Sequence, residues 1–340
     1  MKAWWFEKPG PARDVLQFGD VPDPEPGFGE VRVQVAYSAI NPTDCKRRQF
    51  GRDIERFDRV IPHNDGSGVI DAVGRGVPAS RMGERVWLFG PQADSLEHAH
   101  GSCAEYCVLP SRQAIALPPT SSLVDGACLG VPAVTAYVSL FPDGPVDGEI
   151  VYVSGASGRV GKYVVQLAKL SGATVIGSVG SDHKARDVAT LGCDHVLNYR
   201  SDNLIDEVKR LTNGQGVDRI VEVDFGANID LHREIVRCNG TVSAYGSSTE
   251  QQPIFKFYPN KFMNIIYRMV TVFRVDEEIL DRAFREITDH LNHDRLIHHV
   301  GCSYAFLDVP QAHEDLEAGS IYGIAQITIN DKLEFNGASV

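Results

Sequence analysis

Between Ile150 and Lys184 the apolar positions change period twice. Ile150-Val151-Tyr152-Val153-Ser154 is a continuous run rich in β-branched side chains, the composition of a strand buried on both faces of a parallel sheet. The turn Gly155-Ala156-Ser157-Gly158-Arg159-Val160-Gly161 follows, Val160, Val164, Leu167 and Leu170 recur at helical spacing, Gly172 ends the segment, and Ala173 to Val179 supplies a second strand. The turn presents backbone N–H groups and the positive end of a helix dipole to a phosphate, which identifies Ser157, Gly158, Arg159 and Val160 as cofactor-binding candidates. A glycine-spaced turn can be no more than a tight connection; correct elements on both flanks point to a nucleotide.

The alternation continues downstream. Val196 to Tyr199 reads as a strand, Ile205, Val208 and Leu211 as a helix face, Arg219 to Val223 and Gly240 to Tyr245 as further strands. This repetition predicts an α/β fold with a doubly wound parallel sheet. The N-terminal third differs: Val31, Val33 and Val35 alternate on one face, and Arg85 to Phe89 and Glu105 to Leu109 are short runs between glycine turns, which predicts a compact β-barrel. Pro118 to Leu140 turns helical with an interruption at Pro132. Beyond about Tyr267 an amphipathic helix runs through Leu280, Ala283, Phe284, Ile287 and Leu291, and Ile324 to Ile329 closes the chain as a strand that returns to the first domain. The expected organisation is a discontinuous domain of residues 1–125 and 268–340 around an inserted domain of 126–267, with 331–340 as a frayed tail.

A length of 340 residues suits two domains. The excess of 45 acidic over 33 basic residues gives a net charge of -12, which argues against nucleic acid and anionic membrane as partners. No run approaches the roughly 20 apolar residues of a membrane span, and the first residues lack a signal-peptide core, so a soluble cytoplasmic protein is expected. Seven scattered cysteines make a poor disulfide framework.

The second strand of the nucleotide unit ends in Ser178-Val179-Gly180-Ser181, without the carboxylate that would accept a ribose 2′-hydroxyl. His183, Lys184 and Arg186 follow, and Tyr199-Arg200 ends the next strand, so a 2′-phosphate is accepted rather than repelled. Ser178, Ser181, Lys184 and Tyr199 are therefore cofactor-binding candidates for NADPH, although Asp182 sits among them and single basic residues are more often solvated. His98, His100 and Cys103 have short, metal-like spacing but fall in a polar loop without an evident fourth ligand, and no metal is predicted.

Asn41-Pro42-Thr43-Asp44, Asp65-Gly66-Ser67-Gly68-Val69-Ile70 with Val73-Gly74, Gly83-Glu84-Arg85-Val86, Gly101 to Tyr106, Leu129 to Tyr137 and the glycine turn follow one another along nearly the whole chain. In these motifs the sequence resembles the zinc-free members of the medium-chain dehydrogenase/reductase superfamily, and within them the zeta-crystallin type of quinone oxidoreductase. The resemblance implies a GroES-like β-barrel catalytic domain, an inserted Rossmann domain and a cofactor cleft between them. It implies NADPH-dependent reduction of a small molecule, a quinone or activated carbonyl compound, by a homodimer or homotetramer. It places Asn41, Asn64 and Val131 where the zinc-dependent relatives carry metal ligands, and none of the three is a strong ligand. A quinone is electron-poor enough to accept hydride with only hydrogen-bond donors steadying its oxyanion. Asn41 is the candidate donor, with Arg48 near the same wall; the structural alternative for Asn41 is a cap before Pro42. Near the nicotinamide the resemblance points to Thr135, Phe225, Gly246 and Ser247, and to Phe273 and Val275, for which core packing is an equal alternative. Lys46 replaces a tyrosine common in related reductases, and Arg159 replaces a glycine. Reduction of an activated C=C bond in an enal, enone or acyl thioester is the enzymatic alternative. A structural or regulatory NADPH-binding protein without turnover is the alternative outside enzymes.

Overall fold

The computed structural model describes all residues except 52, 53, 55, 92–99 and 336–340. By internal contacts the chain forms two units, residues 1–131 with 284–340, and residues 132–283.

The first unit begins with the antiparallel pair β1 (Lys2–Trp5) and β2 (Gln17–Asp20). There follow β3 (Glu30–Ile40), β4 (Asp65–Val73), β5 (Arg85–Phe89), β6 (Tyr106–Pro110) and β7 (Ala114–Ala116). Strand β3 carries the alternation read from the sequence: Val31, Val33 and Val35 are fully buried while the residues between them are partly exposed. From Ala36 to Ile40 every position is buried, in the half of β3 that lies between β4 and a strand from the chain's end. Register shifts against β4 at Arg32/Val33 and Val35/Tyr37 bend this long strand, as a closing β-sheet requires.

The second unit holds β8 (Ile150–Val153), β9 (Thr174–Val179), β10 (His195–Asn198), β11 (Val217–Glu222), β12 (Val236–Ala244) and β13 (Ile266–Met269). All neighbours are parallel, in the order β10-β9-β8-β11-β12-β13. This is the doubly wound order, and it reverses between β8 and β11. Tyr152, Ile176, Ile220 and Val242 from its four inner strands share one core cluster with helix residues Val208 and Ile235. The chain then forms β14 (Val300–Ala305) and β15 (Ile324–Thr328), and β15 pairs antiparallel with β3, completing a seven-stranded sheet of the first unit.

Several local expectations are corrected. Pro132 does not interrupt a helix; it occupies the first turn of Gly130–Leu140, where a proline removes no intrahelical bond. The crossing back falls later than residue 268, because Arg268 and Met269 pair with β12 and the second unit extends to Ala283. Leu170 is 42% exposed at the last position of its helix, outside the buried stripe. The expected tail is anchored as far as Glu334: Leu333 is buried, and the Glu334 carboxylate accepts the Leu123 N–H at 2.8 Å and pairs with Arg85 at 3.3 Å. Among the described residues no helix is long and apolar enough to cross a membrane.

Candidate active site

In the first unit, Asn41 is the N-cap of helix Pro42–Phe50, and its backbone N–H donates to the Asp44 carboxylate at 2.7 Å. Its side chain is nearly buried, and Nδ2 donates to Asp65 Oδ2 at 2.6 Å. Asp65 Oδ1 accepts the Val131 N–H, also at 2.6 Å. One buried carboxyl thus spans Asn41 and Val131, and the third position, Asn64, donates from Nδ2 to Asp44 Oδ1 at 2.8 Å. Burial pushes Asp65 well above the usual carboxyl range against the lowering effect of its bonds to Asn41 and Val131. Burial likewise raises Asp44 to about 6. Asp44 and Asp65 lie inside the motifs that carry the resemblance, where nothing in the sequence marks either carboxylate for chemistry.

Arg48 is placed differently from expectation. It is fully buried, with its guanidinium bonded to the Gly10 carbonyl and the Glu317 carboxylate. Set between the exposed Lys46 and Gln49 of the same helix, it is turned inward and presents no exposed surface.

A chain of buried polar groups lies behind this helix. Cys45 Sγ is 3.4 Å from His313 Nδ1, His313 Nε2 is 2.9 Å from His63 Nε2, His63 Nδ1 is 2.8 Å from Ser38 Oγ, and Ser38 Oγ is 2.7 Å from Ser102 Oγ. Burial holds His63 down at about 3 and His313 well below the ordinary histidine range, so both rings are neutral. The Ser102 hydroxyl donates to the Asp65 carbonyl at 2.5 Å, so it accepts from Ser38. Ser38 then accepts from His63 Nδ1–H, His63 Nε2 from His313 Nε2–H, and His313 Nδ1 from the thiol. The direction of every bond follows from one terminal carbonyl. Of the short-spaced trio His98, His100 and Cys103, His98 lies outside the described residues and Cys103 is a fully buried thiol. Among the described residues no group of three His, Cys, Asp or Glu side chains could hold a metal ion.

In the second unit, the glycine turn has the geometry a pyrophosphate needs. Gly155 has φ +62, and a Cβ on Gly161 would stand 2.4 Å from the Gly155 carbonyl oxygen, so the helix can approach the strand only without a side chain there. Gly158 is the N-cap of helix Arg159–Leu170, and the first bond into that helix runs from Lys162 N to Gly158 O. The N–H groups ahead of it therefore face out of the helix end. The turn is seated on β9, with Ala156 N donating to Ser178 O at 2.9 Å and Gly155 N reaching Ser178 Oγ at 3.4 Å. Ser157, Gly158, Arg159 and Val160 stand partly or fully exposed at this helix end.

Ser181 caps helix Asp182–Thr190, accepting from Lys184 N at 3.4 Å. The nearby acids are committed elsewhere: Asp182 accepts from Asn198 Nδ2 at 3.0 Å, and Asp187 pairs with the nearly buried Lys162 at 2.5 Å. Burial lowers Lys162 against the raising effect of its bond to Asp187, and the charge of Lys184 adds a smaller lowering. Tyr199 is 51% exposed, with its hydroxyl so close to Gly180 that a Cβ there would be 2.4 Å away. Ser178, Ser181, Lys184 and Tyr199 are thus gathered around the tips of β9 and β10. Phe225 and Gly246 are joined by a 2.8 Å bond from Phe225 N to Gly246 O, and Ser247 Oγ accepts Gly226 N at 2.9 Å. Thr135 is buried within its helix. Val275 lines a cavity of about 350 Å³ with Val138, Met269 and Arg274, while Phe273 lies in the short turn Val272–Arg274 beside it.

A carboxylate network that sequence reasoning missed joins these turns. Glu222, fully buried at the end of β11, accepts from Ser154 Oγ, Asp224 N, Asn228 Nδ2 and His232 Nε2 at 2.8, 2.6, 3.0 and 2.7 Å. Its only signal in the sequence was a charged residue inside an apolar strand.

Residues 27–119 match the alcohol dehydrogenase GroES-like domain, and residues 160–301 match the zinc-binding dehydrogenase family. The quinone oxidoreductase of Rattus norvegicus is 32% identical over 242 residues, 71% of each chain, and that of Homo sapiens 28% over 317 residues, 93% of each. A mycobacterial quinone oxidoreductase structure shares the fold with a TM-score of 0.84 at 24% identity, covering 97% of this chain and 100% of that one. A mycobacterial structure complexed with NADPH gives 0.83 at 24% identity, with the same coverage. Fold, glycine turn and relatives together define an oxidoreductase that uses a nicotinamide cofactor. The chain belongs to the medium-chain dehydrogenase/reductase superfamily, in the quinone oxidoreductase family of the zeta-crystallin type.

Proposed function

We propose that the protein reduces quinones with NADPH and without a metal. The observation that carries the reading is the Asp65 carboxyl held by Asn41 Nδ2 and Val131 N, because it fills with hydrogen bonds two of the three positions at which the zinc-dependent relatives carry ligands. An amide donor set polarises an oxygen more weakly than a Lewis acid, which suits an electrophile that is already electron-poor. NADPH would supply the hydride. The N–H groups at the Gly158 helix end would hold its pyrophosphate, and Ser181, Lys184 and Tyr199 its 2′-phosphate. Lys184 in the first turn of helix Asp182–Thr190, with Asp182 engaged by Asn198 and no carboxylate at the tip of β9, supports the phosphorylated cofactor. Asn41, steadied by Asp65, would steady the developing oxyanion.

A second reading, reduction of an activated C=C bond in an anionic acyl substrate, is supported by Lys46, which is exposed at a cavity of about 420 Å³ also lined by Pro42, Gln49 and Leu316. A homo-oligomer is supported by β13, an edge strand whose Ile266 and Met269 are 50% and 64% exposed. Purified protein mixed with NADPH and a panel of ortho- and para-quinones should oxidise the cofactor. Absence of oxidation above background with every quinone rejects the leading reading, and faster turnover of enones or enoyl thioesters favours the second.

A further inference from the structure

We propose that Glu222 and Asp224 are positioning residues for the cofactor, two linked carboxylates that lock the ends of β8 and β11 and the loop after β12 into one fixed face. The inference rests on the reading of this face as the dinucleotide site. Strands β8 and β11 flank the point where the strand order reverses, the place where doubly wound sheets bind their ligands. There the two strand ends are joined by side chains as well as by the sheet: Ser154 Oγ, directly before the Gly155 turn, donates to Glu222 Oε1 at 2.8 Å. The same oxygen accepts Asp224 N at 2.6 Å and Asn228 Nδ2 at 3.0 Å, and Asn228 Nδ2 also reaches Ser154 Oγ at 3.4 Å.

Asp224 carries the connection onward. Its Oδ1 accepts Ser248 N at 2.8 Å and Thr249 N at 3.1 Å, and its Oδ2 accepts the Thr249 hydroxyl. A continuous run of hydrogen bonds therefore passes from Ser154 through Glu222 and Asp224 to Ser248 and Thr249, joining the ends of β8 and β11 to the loop after β12. A buried carboxylate is a poor way to fill space, since an apolar side chain of the same volume avoids its desolvation. What Glu222 supplies is direction, because its donors come from different elements and converge only in one arrangement. Burial would raise its carboxyl, but the hydrogen bond and charge of His232, with the Asp224 and Asn228 donors, hold it below the usual range, so the acceptor stays ionised.

Three variants test this: Ser154→Ala, which deletes only the first bond; Asp224→Asn, which places an amide against the Ser248 and Thr249 donors; and Glu222→Met, which keeps volume and removes the acceptor. NADPH dissociation constants from fluorescence titration are expected to rise about threefold, tenfold and tenfold or more, as the loss of one or several such bonds implies. In the cofactor-free proteins, amide hydrogen exchange should quicken at residues 155–158 and 247–249 ahead of the rest of the sheet. If the wild-type protein binds NADPH and all three variants bind it within twofold, the inference is overturned. It is equally overturned if exchange quickens uniformly and melting temperature falls with affinity intact, since that is structural support alone. Failure of Glu222→Met to fold leaves Ser154→Ala and Asp224→Asn to decide. If the wild-type protein itself binds no dinucleotide, the cofactor reading fails instead.

Discussion

Asn41 Nδ2 donates to Asp65 Oδ2 at 2.6 Å, and this bond fixes the direction of the one amide proposed to face the substrate oxygen. Asp65→Asn puts an NH2 group against either Asn41 Nδ2 or Val131 N, whichever oxygen it replaces. A buried donor left without its acceptor costs about 1–3 kcal/mol, so thermal melts should show a loss of that order. Quinone turnover should fall roughly 10–100-fold as Asn41 loses its orientation. NADPH affinity should be unaffected, because Asp65 belongs to the other unit from the glycine turn.

The paired imidazoles make the first unit acid-sensitive. His63 and His313 have folded-state values far below their unfolded ones, so the stability they contribute is complete above about pH 6.5 and is lost as pH falls toward the folded values. Each contributes a slope of about 1.4 kcal/mol per pH unit within that window. Asp44 and Asp65, raised by burial, act oppositely: their contribution is present at low pH and declines as pH rises through the carboxyl range. His63→Asn should therefore lower the melting temperature at pH 7, and its deficit against wild type should narrow steadily between pH 6.5 and 4.5. A constant deficit would show that His63 is not neutral in the folded protein.

Gly161→Ala sets a Cβ 2.4 Å from Gly155 O and 2.9 Å from Ala156 Cα, both backbone atoms that cannot swing aside. The helix must back away from the strand, at about 1–3 kcal/mol for such overpacking. Cofactor affinity measured by calorimetry should drop by at least about tenfold, since the phosphate-facing N–H groups move with the helix.

Lys184→Ala separates the two nicotinamide cofactors. Loss of one charge-assisted contact to a 2′-phosphate should reduce kcat/KM for NADPH by about 10–100-fold and leave NADH use nearly unchanged. Equal losses with both cofactors would place Lys184 outside the 2′-phosphate site.

Met269→Lys puts a charge on the exposed edge strand β13. If the protein associates through that edge, light scattering after size exclusion should show the wild type as an oligomer and the variant as a smaller species. A monomeric wild type would remove the edge as an interface.

The sequence was most legible where one physical rule governs a stretch. Alternation at Val31, Val33 and Val35, and the apolar run into the glycine turn at Ile150–Gly161, both predict what the structure holds, because burial on one face or on two leaves a period in the chain. Arg48 defeated the reading because a basic side chain near an active-site motif looks the same in sequence whether it faces ligand or, as here, is spent on Gly10 and Glu317 from distant parts of the chain. Glu222 was missed for a related reason. Its donors lie 68, 2, 6 and 10 residues away, and over the longest of these separations the chain forms β9 and β10 before returning beside β8 as β11. The true end of the inserted unit was hidden because β13 is a short strand whose half-exposed residues carry little periodic signal.

The Asp65 bridge also bears on how a metal could be regained. Replacing Asn41 by cysteine and Asn64 by histidine restores two ligand types, yet it strips Asp65 of one donor and Asp44 of another while both acids stay buried. Each replacement alone is penalised before any ion can compensate it. The metal-free state is thus a local optimum from which single substitutions lead downhill, and a return to zinc would need the carboxylates to change together with the ligands.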